Sequence, residues 1–599
     1  MRHTAVLLAA ALAFACHGDT PTGLNQPSSD LGTMAVGEVR VFAAAGVRDG
    51  LQVPAASALR DYVIVVANTN PRLDQVATYY VNADVVSAIP VSSVVNQHAV
   101  LRGFNAGWLP GRQEIFDSRL RAFERSALTM TGESDPNGVL HFRRPGSANL
   151  VAASVPAVGD VLNVKIPDAA TDSLCKNFIS TQAVVAAVGR RAIIAVDTLD
   201  GPPSALFTQS ALDSISQEFD NTTFPTDSSY FGNPTDIDAN AHIILLYSGQ
   251  INKLTPPGLP QGSGFIGGFF FAGDFFPTTA ARPAEACAQS NRAEILYLLS
   301  PDPTGRFGNV RTTASVRQAT RGTVAHEFQH MINSGNRYLN PRSSAFEAVW
   351  LDEALAHFAE DAVGRAERGF GDLQTLTLGD LLPAGSASAN DDFNAFFFQN
   401  FARLAFWMVR PDTSSGLSGL ADRNLSSRGA AWSIVRYVAD NLSDANPRAF
   451  TRRTVAGPDT GIANLTAAAN APLDTILSGW FVSMFADHGP IPGLSQNYQL
   501  RAYDLRNIMP PVANAVFGTT VPRYPLQITP IGSGSDSVSA TVRSGTGTYY
   551  RLTVPANSGP KIVTINGERV TLLDCCIGDE AWRRRLGFPG AHVYVLRLE

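Results

Sequence analysis

The sequence predicts a multidomain α+β protein, with a two-lobed α+β region in the middle of the chain and a β-sandwich-like domain on either side of it. Three observations predict this. Short runs of β-formers between turn residues fill both ends of the chain. Apolar residues at three- and four-residue steps mark a series of helices from Thr312 to Ala486. With 599 residues, 45% of them hydrophobic and 16% charged, the chain is long and apolar enough to bury several cores. The formal charge of −6 argues against a nucleic-acid partner.

Residues 1–16 begin with Met1-Arg2-His3 and continue as an apolar run, Ala5 to Ala15, too short to span a bilayer. This pattern predicts a secretory signal peptide. Ala13-Phe14-Ala15-Cys16 resembles a bacterial lipobox, which implies lipidation of Cys16; cleavage and plain secretion is the alternative. The chain is therefore expected to be exported, either as a lipoprotein of the bacterial cell envelope or secreted, and to touch a membrane only through that anchor. Residues 17–30, rich in Gly, Pro, Ser and Thr, read as a flexible tether.

Residues 31–110 read as a small N-terminal β domain, with strands at Gly37–Phe42, Tyr62–Ala67 and Ala77–Val81. Residues 111–157 read as a helical connector. Its helix, Arg112 to Leu128, carries Arg119, Arg121 and Arg125 on a face expected to be solvated.

The central region spans residues 158–498. Strands are expected between Val158 and Asp197 and at Ala241–Tyr247, with a helix at Ala211–Phe219. Asp236, Asp238 and Asn240 alternate oxygen-bearing side chains and are candidate calcium ligands, although a plain turn is favoured because the rest of a calcium loop is missing. Gly262, Gly264 and Gly267 spell GxGxxG, but no strand precedes them and no helix follows, so nucleotide binding is not expected. Glu294–Leu299 reads as the strand before the next helix.

That helix runs from Thr312 to Ile332, with Asn333-Ser334-Gly335-Asn336 predicted to stop it. It carries Ala325-His326-Glu327-Phe328-Gln329-His330, an HExxH motif. Helical spacing puts His326 and His330 one turn apart on one face, where two imidazole nitrogens can grip one zinc ion. Glu327 then lies beside the metal, placed to take a proton from zinc-bound water. The alternative is an ordinary buried helix with two hydrogen-bonded histidines. A catalytic zinc needs a third protein ligand and an open position. The helix Ala348–Asp361 supplies the ligand: Glu353 is favoured, with Asp352 and His357 as alternatives. His357 falls on the face of Glu353, as a group supporting the metal shell or the transition state. Tyr338, Tyr437 and His488 are candidates for donating to a tetrahedral oxyanion, each against a purely structural role.

AHEFQHMIN at 325–333, followed by WLDEALAHFAED at 350–361, resembles the zinc metallopeptidases of the gluzincin type, whose third ligand is a glutamate on the next helix, and within them the hyicolysin-type family. The resemblance runs from about Thr171 to Asp487. It implies a two-lobed zincin-like metallopeptidase domain holding one zinc ion on His326, His330 and Glu353, with Glu327 as general base. The implied function is an exported zinc-dependent endopeptidase acting on protein or peptide substrates, and the strand at 294–299 would align an extended substrate along its edge. Ala354 departs from the pattern, since many relatives have glycine there. The alternative function is a non-catalytic or latent protease-like surface protein used for binding or adhesion, a role that gives Glu327 no purpose.

Phe393–Val409, Ser427–Asn441 and Leu473–Ala486 read as helices of the second lobe. Residues 499–599 read as a C-terminal β domain, with strands at Ser537–Val542, Thr548–Val554 and His592–Leu598. Cys175, Cys287, Cys575 and Cys576 are available for disulfides in an exported chain, in a pairing that the sequence does not specify.

Overall fold

The computed structural model describes residues 27–43, 47, 50–72, 76–83, 111–129, 132–134, 140–142, 154–169, 173–258, 264–340, 342–343, 345–417, 425–518, 520, 523–531, 538–571 and 591–599. The signal peptide, Cys16, most of the tether, Gly262, Cys575 and Cys576 lie outside the described residues.

The centre of the molecule is a six-stranded mixed sheet. Its order is Gly268–Phe270, Ile295–Leu298, Ile243–Tyr247, Ala192–Asp197, Phe178–Val188, Val161–Pro167. Ile243–Tyr247 runs parallel to both of its neighbours, and these three strands are buried at every position. Strands covered on both faces favour continuous apolar runs, which is the pattern of IILLY and ILYL. The strand at 295–298 is therefore interior, and the edge belongs to Gly268–Phe270, antiparallel to it. This corrects the expectation that 294–299 offers the substrate edge. A three-residue strand beside three phenylalanines has too little period to announce itself.

Five helices build the region around the HExxH motif. We name them α1 (Arg112–Ala127), α2 (Thr313–Leu339), α3 (Val349–Glu367), α4 (Phe398–Met408) and α5 (Leu425–Asn441). The side chain of Thr312 caps α2 by accepting from Ser315 N. The predicted stop at 333–336 is passed, and α2 continues to Leu339. Gly335 is not a terminator: a Cβ there would lie 2.5 Å from the Thr235 side chain, so the glycine serves close packing within the helix. At the α4–α5 crossing a Cβ on Gly429 would lie 2.3 Å from the Arg403 carbonyl carbon, so the two backbones meet without a side chain between them.

The largest departure from expectation lies in the flanking β regions. Two separate sandwiches are predicted, but the described strands of both ends interleave in one. A five-stranded sheet has the order Val39–Ala43, Ala591–Arg597, Arg60–Asn68, Thr546–Val554, Ile528–Ile531, and a four-stranded sheet the order Val538–Arg543, Val76–Ala83, Lys561–Thr571, Leu51–Val53. Tyr62, Ile64 and Val66 share one buried cluster with Tyr79, Val81, Val542 and Val563 of the opposite sheet. The other face of the Arg60–Asn68 strand, Val63, Val65 and Ala67, joins the main core, where Tyr549 donates to Phe481 O at 2.8 Å. Local β patterning marks the strands but not their partners, and here partners lie hundreds of residues apart. Residues 505–517, assigned to the C-terminal β domain, instead form a helix.

Cys175 and Cys287 are joined by a disulfide that closes 112 residues of chain. Among the described residues no helix is long and apolar enough to cross a membrane.

Candidate metal centre

Helical spacing places His326 and His330 on one face of α2, and α3 packs Glu353 against them. Nε2 of His330 lies 3.2 Å from Nε2 of His326, and Glu353 Oε2 lies 3.3 Å from the first-named His326 nitrogen and 3.8 Å from His330 Nε2. Tetrahedral zinc with bonds of about 2.0–2.1 Å separates its ligand atoms by roughly 3.3 Å. The three atoms thus fit one ion, and all three side chains are buried.

The opposite sides of both rings are held by carboxylates. Asp352 Oδ2 lies 2.9 Å from His330 Nδ1, and Asp352 Oδ1 accepts from Asn333 Nδ2 at 2.5 Å. Glu360 Oε1 lies 2.8 Å from His326 Nδ1 and 3.0 Å from His357 Nδ1. A carboxylate at Nδ1 keeps the proton there and turns the Nε2 lone pair toward the metal position. His326, His357 and Glu360 form a second cluster of close donor atoms. There, however, Glu360 binds the Nδ1 atoms of both rings, so it orients them rather than sharing an ion with them.

Charge around the centre follows the same plan. Burial opposes protonation of His326, yet its hydrogen bonds to Glu353 and Glu360 pull it well above the usual histidine range. Burial alone would raise Glu353, but the Arg428 guanidinium, with Nη1 at 2.5 Å from Oε2, and the two histidines hold its carboxyl well below the usual range. The pocket therefore favours positive charge between the imidazoles, which is what a divalent cation supplies. Burial, then the nearby Arg403 guanidinium, pushes His357 down to about 3. His357 Nδ1 lies 3.0 Å from Glu360 Oε1 and 3.3 Å from Arg403 Nη1, and its Nε2 is buried with no hydrogen-bond partner among the described residues.

Glu327, buried beside His326, accepts at Oε2 from Phe270 N at 3.0 Å and from Arg121 Nη2 at 3.3 Å. A cavity of about 540 Å³ opens beside these groups, lined in part by His326, Glu327, His357, Glu360, Arg403 and Arg428.

No family model matches the chain. The neutral metalloprotease ShpI of Staphylococcus hyicus is 31% identical over 147 residues, which cover 24% of this chain and 29% of that protein. The chain is a distant, partial homologue of a neutral metalloprotease. It spans less than a third of that metalloprotease's length.

The remaining sequence candidates fall elsewhere. Tyr338 packs its ring against Phe276 at 4.9 Å, Tyr437 Oη donates to Asn497 O at 3.1 Å, and His488 Nδ1 pairs with Asp487 Oδ2 at 3.1 Å. None of the three lines the cavity. Asp236, Asp238 and Asn240 use their oxygens on their own loop, accepting from Ala241 N, Asn240 N and His242 N, respectively. Glu294 joins Asp236 and Asp238, and accepts from Ile237 N at 2.8 Å. These are the hydrogen bonds of a plain turn, the reading that the sequence favoured over a calcium site. Sequence reasoning missed Glu360, although it follows Glu353 and His357 at i+7 and i+3 on the same face of α3. Arg121 and Arg428 carried no such local signal.

Proposed function

We propose that this chain is an exported zinc-dependent endopeptidase that cleaves protein or peptide substrates. The observation that carries the reading is the convergence of His326 Nε2, His330 Nε2 and Glu353 Oε2 beside the Glu327 carboxylate at the wall of an open cavity. The partial homology to a neutral metalloprotease supports it. The donor set of two imidazoles and one carboxylate suits zinc and leaves room for a further ligand.

When bound, zinc would supply the Lewis acidity that acidifies water and polarises the scissile carbonyl. His326, His330 and Glu353 hold it, while Asp352 and Glu360 keep the two imidazoles in the tautomer that presents Nε2. Glu327 accepts the water proton at Oε1, the oxygen that Phe270 N and Arg121 do not hold, and passes it to the leaving nitrogen. His357, whose ring lines the cavity and is held at Nδ1 beside Glu360, helps to position the substrate. An internal bond is favoured over an N-terminal one because the sequence has no GxMEN-like segment to hold a free amine. Export is supported by the Cys175–Cys287 disulfide, which requires an oxidising compartment, and by the basic and apolar N-terminus; lipidation at Cys16 would tether the enzyme to the envelope.

The test is hydrolysis of an unfolded protein by the zinc-loaded chain and by Glu327→Ala, with bound zinc counted in both. Activity lost in the variant, while zinc stays near one per chain, is the expected result. Equal hydrolysis by both, or no stoichiometric zinc in either, would sink the reading.

A further inference from the structure

Among the described residues no strand lies on the outer side of Gly268–Phe270, and side chains engage its backbone at Gly268 O, Phe270 N and Phe270 O. Gly267 N donates to Gln113 Oε1 at 2.8 Å, and Gly268 O accepts from Gln113 Nε2 at 3.0 Å. Phe270 O accepts from Arg121 Nη2 at 2.9 Å, and Ala272 N donates to Glu124 Oε1 at 2.7 Å. Phe270 N, between them, is held by Glu327 itself. Gln113, Arg121 and Glu124 recur on one face of α1 at helical spacing. Gln113 thus binds the backbone at the start of the strand through both ends of its amide, and Arg121 and Glu124 bind it at the end.

The same helix reaches the catalytic groups. Arg121 Nη2 lies 3.3 Å from Glu327 Oε2, and Arg121 Nη1 pairs with Glu124 at 2.6 Å. Glu114 pairs with Arg403 at 2.8 Å, and Asp117 lies 3.6 Å from Arg428 Nη1, the guanidinium that holds Glu353. Phe116 packs its ring on Phe269 at 5.1 Å. A helix that only linked two domains would bury its apolar stripe. This one also buries Glu114, Asp117, Arg121 and Glu124, all aimed at the edge strand or the cleft.

We propose that α1 is a built-in inhibitor, which occupies the strand edge that an extended polypeptide substrate needs and pairs with one oxygen of the general base, so that the chain folds with reduced activity and gains activity when α1 is displaced. The inference rests on the metallopeptidase reading above. A substrate strand added to the outer side of Gly268–Phe270 would need the same backbone groups, so substrate and α1 compete for them. Displacing α1 removes none of the three side chains His326, His330 and Glu353, which lie on α2 and α3.

The test uses the full chain loaded with zinc. The parent is compared with the triple variant Gln113→Ala/Arg121→Ala/Glu124→Ala, which removes one charge of each sign and leaves Glu327 its hydrogen bond from Phe270 N. Bound zinc, unfolding midpoint and kcat/KM on an unfolded protein are measured together. The expected result is one zinc per chain and kcat/KM at least about tenfold above the parent, the size of one or two released hydrogen bonds. The rise must vanish when Glu327→Ala is added. Plain loss of packing lowers activity, so a rise is a readout that a structural role does not produce. Gln113→Glu, at a half-buried position, keeps the acceptor for Gly267 N but loses the donor for Gly268 O; it provides a second variant should the triple fail to fold, and a severalfold rise is expected. A parent that cleaves while the folded variants cleave no faster overturns the inhibitor and leaves the peptidase standing. Parent and variants that all hold zinc and never cleave overturn the peptidase reading, and the inhibitor with it.

Discussion

Asp352 and Glu353 are neighbours in the chain, and the helix separates their tasks. About 100° of rotation per residue sends Glu353 to the shared point between the two Nε2 atoms and leaves Asp352 against His330 Nδ1. Glu360, two turns after Glu353, repeats on His326 what Asp352 does on His330. Each carboxylate fixes a ring rather than binding the ion, so Asp352→Ala and Glu360→Ala are each expected to weaken zinc binding by about 10–100-fold. Competition against a chelator of known affinity measures this. Unchanged affinity in both variants would show that the rings are oriented by packing alone. The HExxH pair was legible because it is local, two proposed ligands and a proposed base within five residues of one helix. Asp352 stood in the sequence as a rival ligand, and only the direction of its side chain turned it into a support.

At the scale of elements, helix type and position followed the sequence, and helix ends and faces did not. The run from Thr312 predicted α2, but Gly335 was read as a stop because glycine commonly ends helices. Its function is set instead by the approach of Thr235 from another part of the chain. The α4–α5 crossing depends on the same device at Gly429. Gly429→Ala is expected to cost about 1–3 kcal/mol through overpacking against the Arg403 backbone. Urea denaturation measures the cost, and a change within error would show that the two helices can separate freely. The arginines of α1 make the converse point. A charged helical face is usually solvated, and Arg119 is exposed as that rule expects, whereas Arg121 is buried over the edge strand. Periodicity locates a face but does not say what lies opposite it.

At the scale of the whole molecule, the two ends of the chain stabilise each other. Ala591–Arg597 lies between Val39–Ala43 and Arg60–Asn68, with its residues paired on both sides. Deleting residues 591–599 would expose the edges of two N-terminal strands and uncover Tyr62, Ile64 and Val66. Amide exchange at Arg60–Asn68 is therefore expected to accelerate by orders of magnitude, while the amides of α2 keep most of their protection. Undiminished protection at Arg60–Asn68 would show that the N-terminal strands fold as an independent unit. The sandwich also packs on the helical region through Tyr549 and Phe481, which ties both ends of the chain to the region that carries the candidate metal centre.

By itself the sequence determined what depends on near neighbours: the strand segments, most helices, the HExxH pair on one helical face, and Glu353 as the favoured third ligand. Each is written in a spacing of two, three or four residues, and such spacing acts before any tertiary contact forms. Tertiary structure alone decided which strands pair, which cysteines join, and which ionic groups face the cleft. Strand pairing is specified by backbone groups that every residue carries, so local pattern cannot name a partner. The contact of Arg121 with Glu327 spans 206 residues, and its existence depends on a helix and a sheet edge meeting.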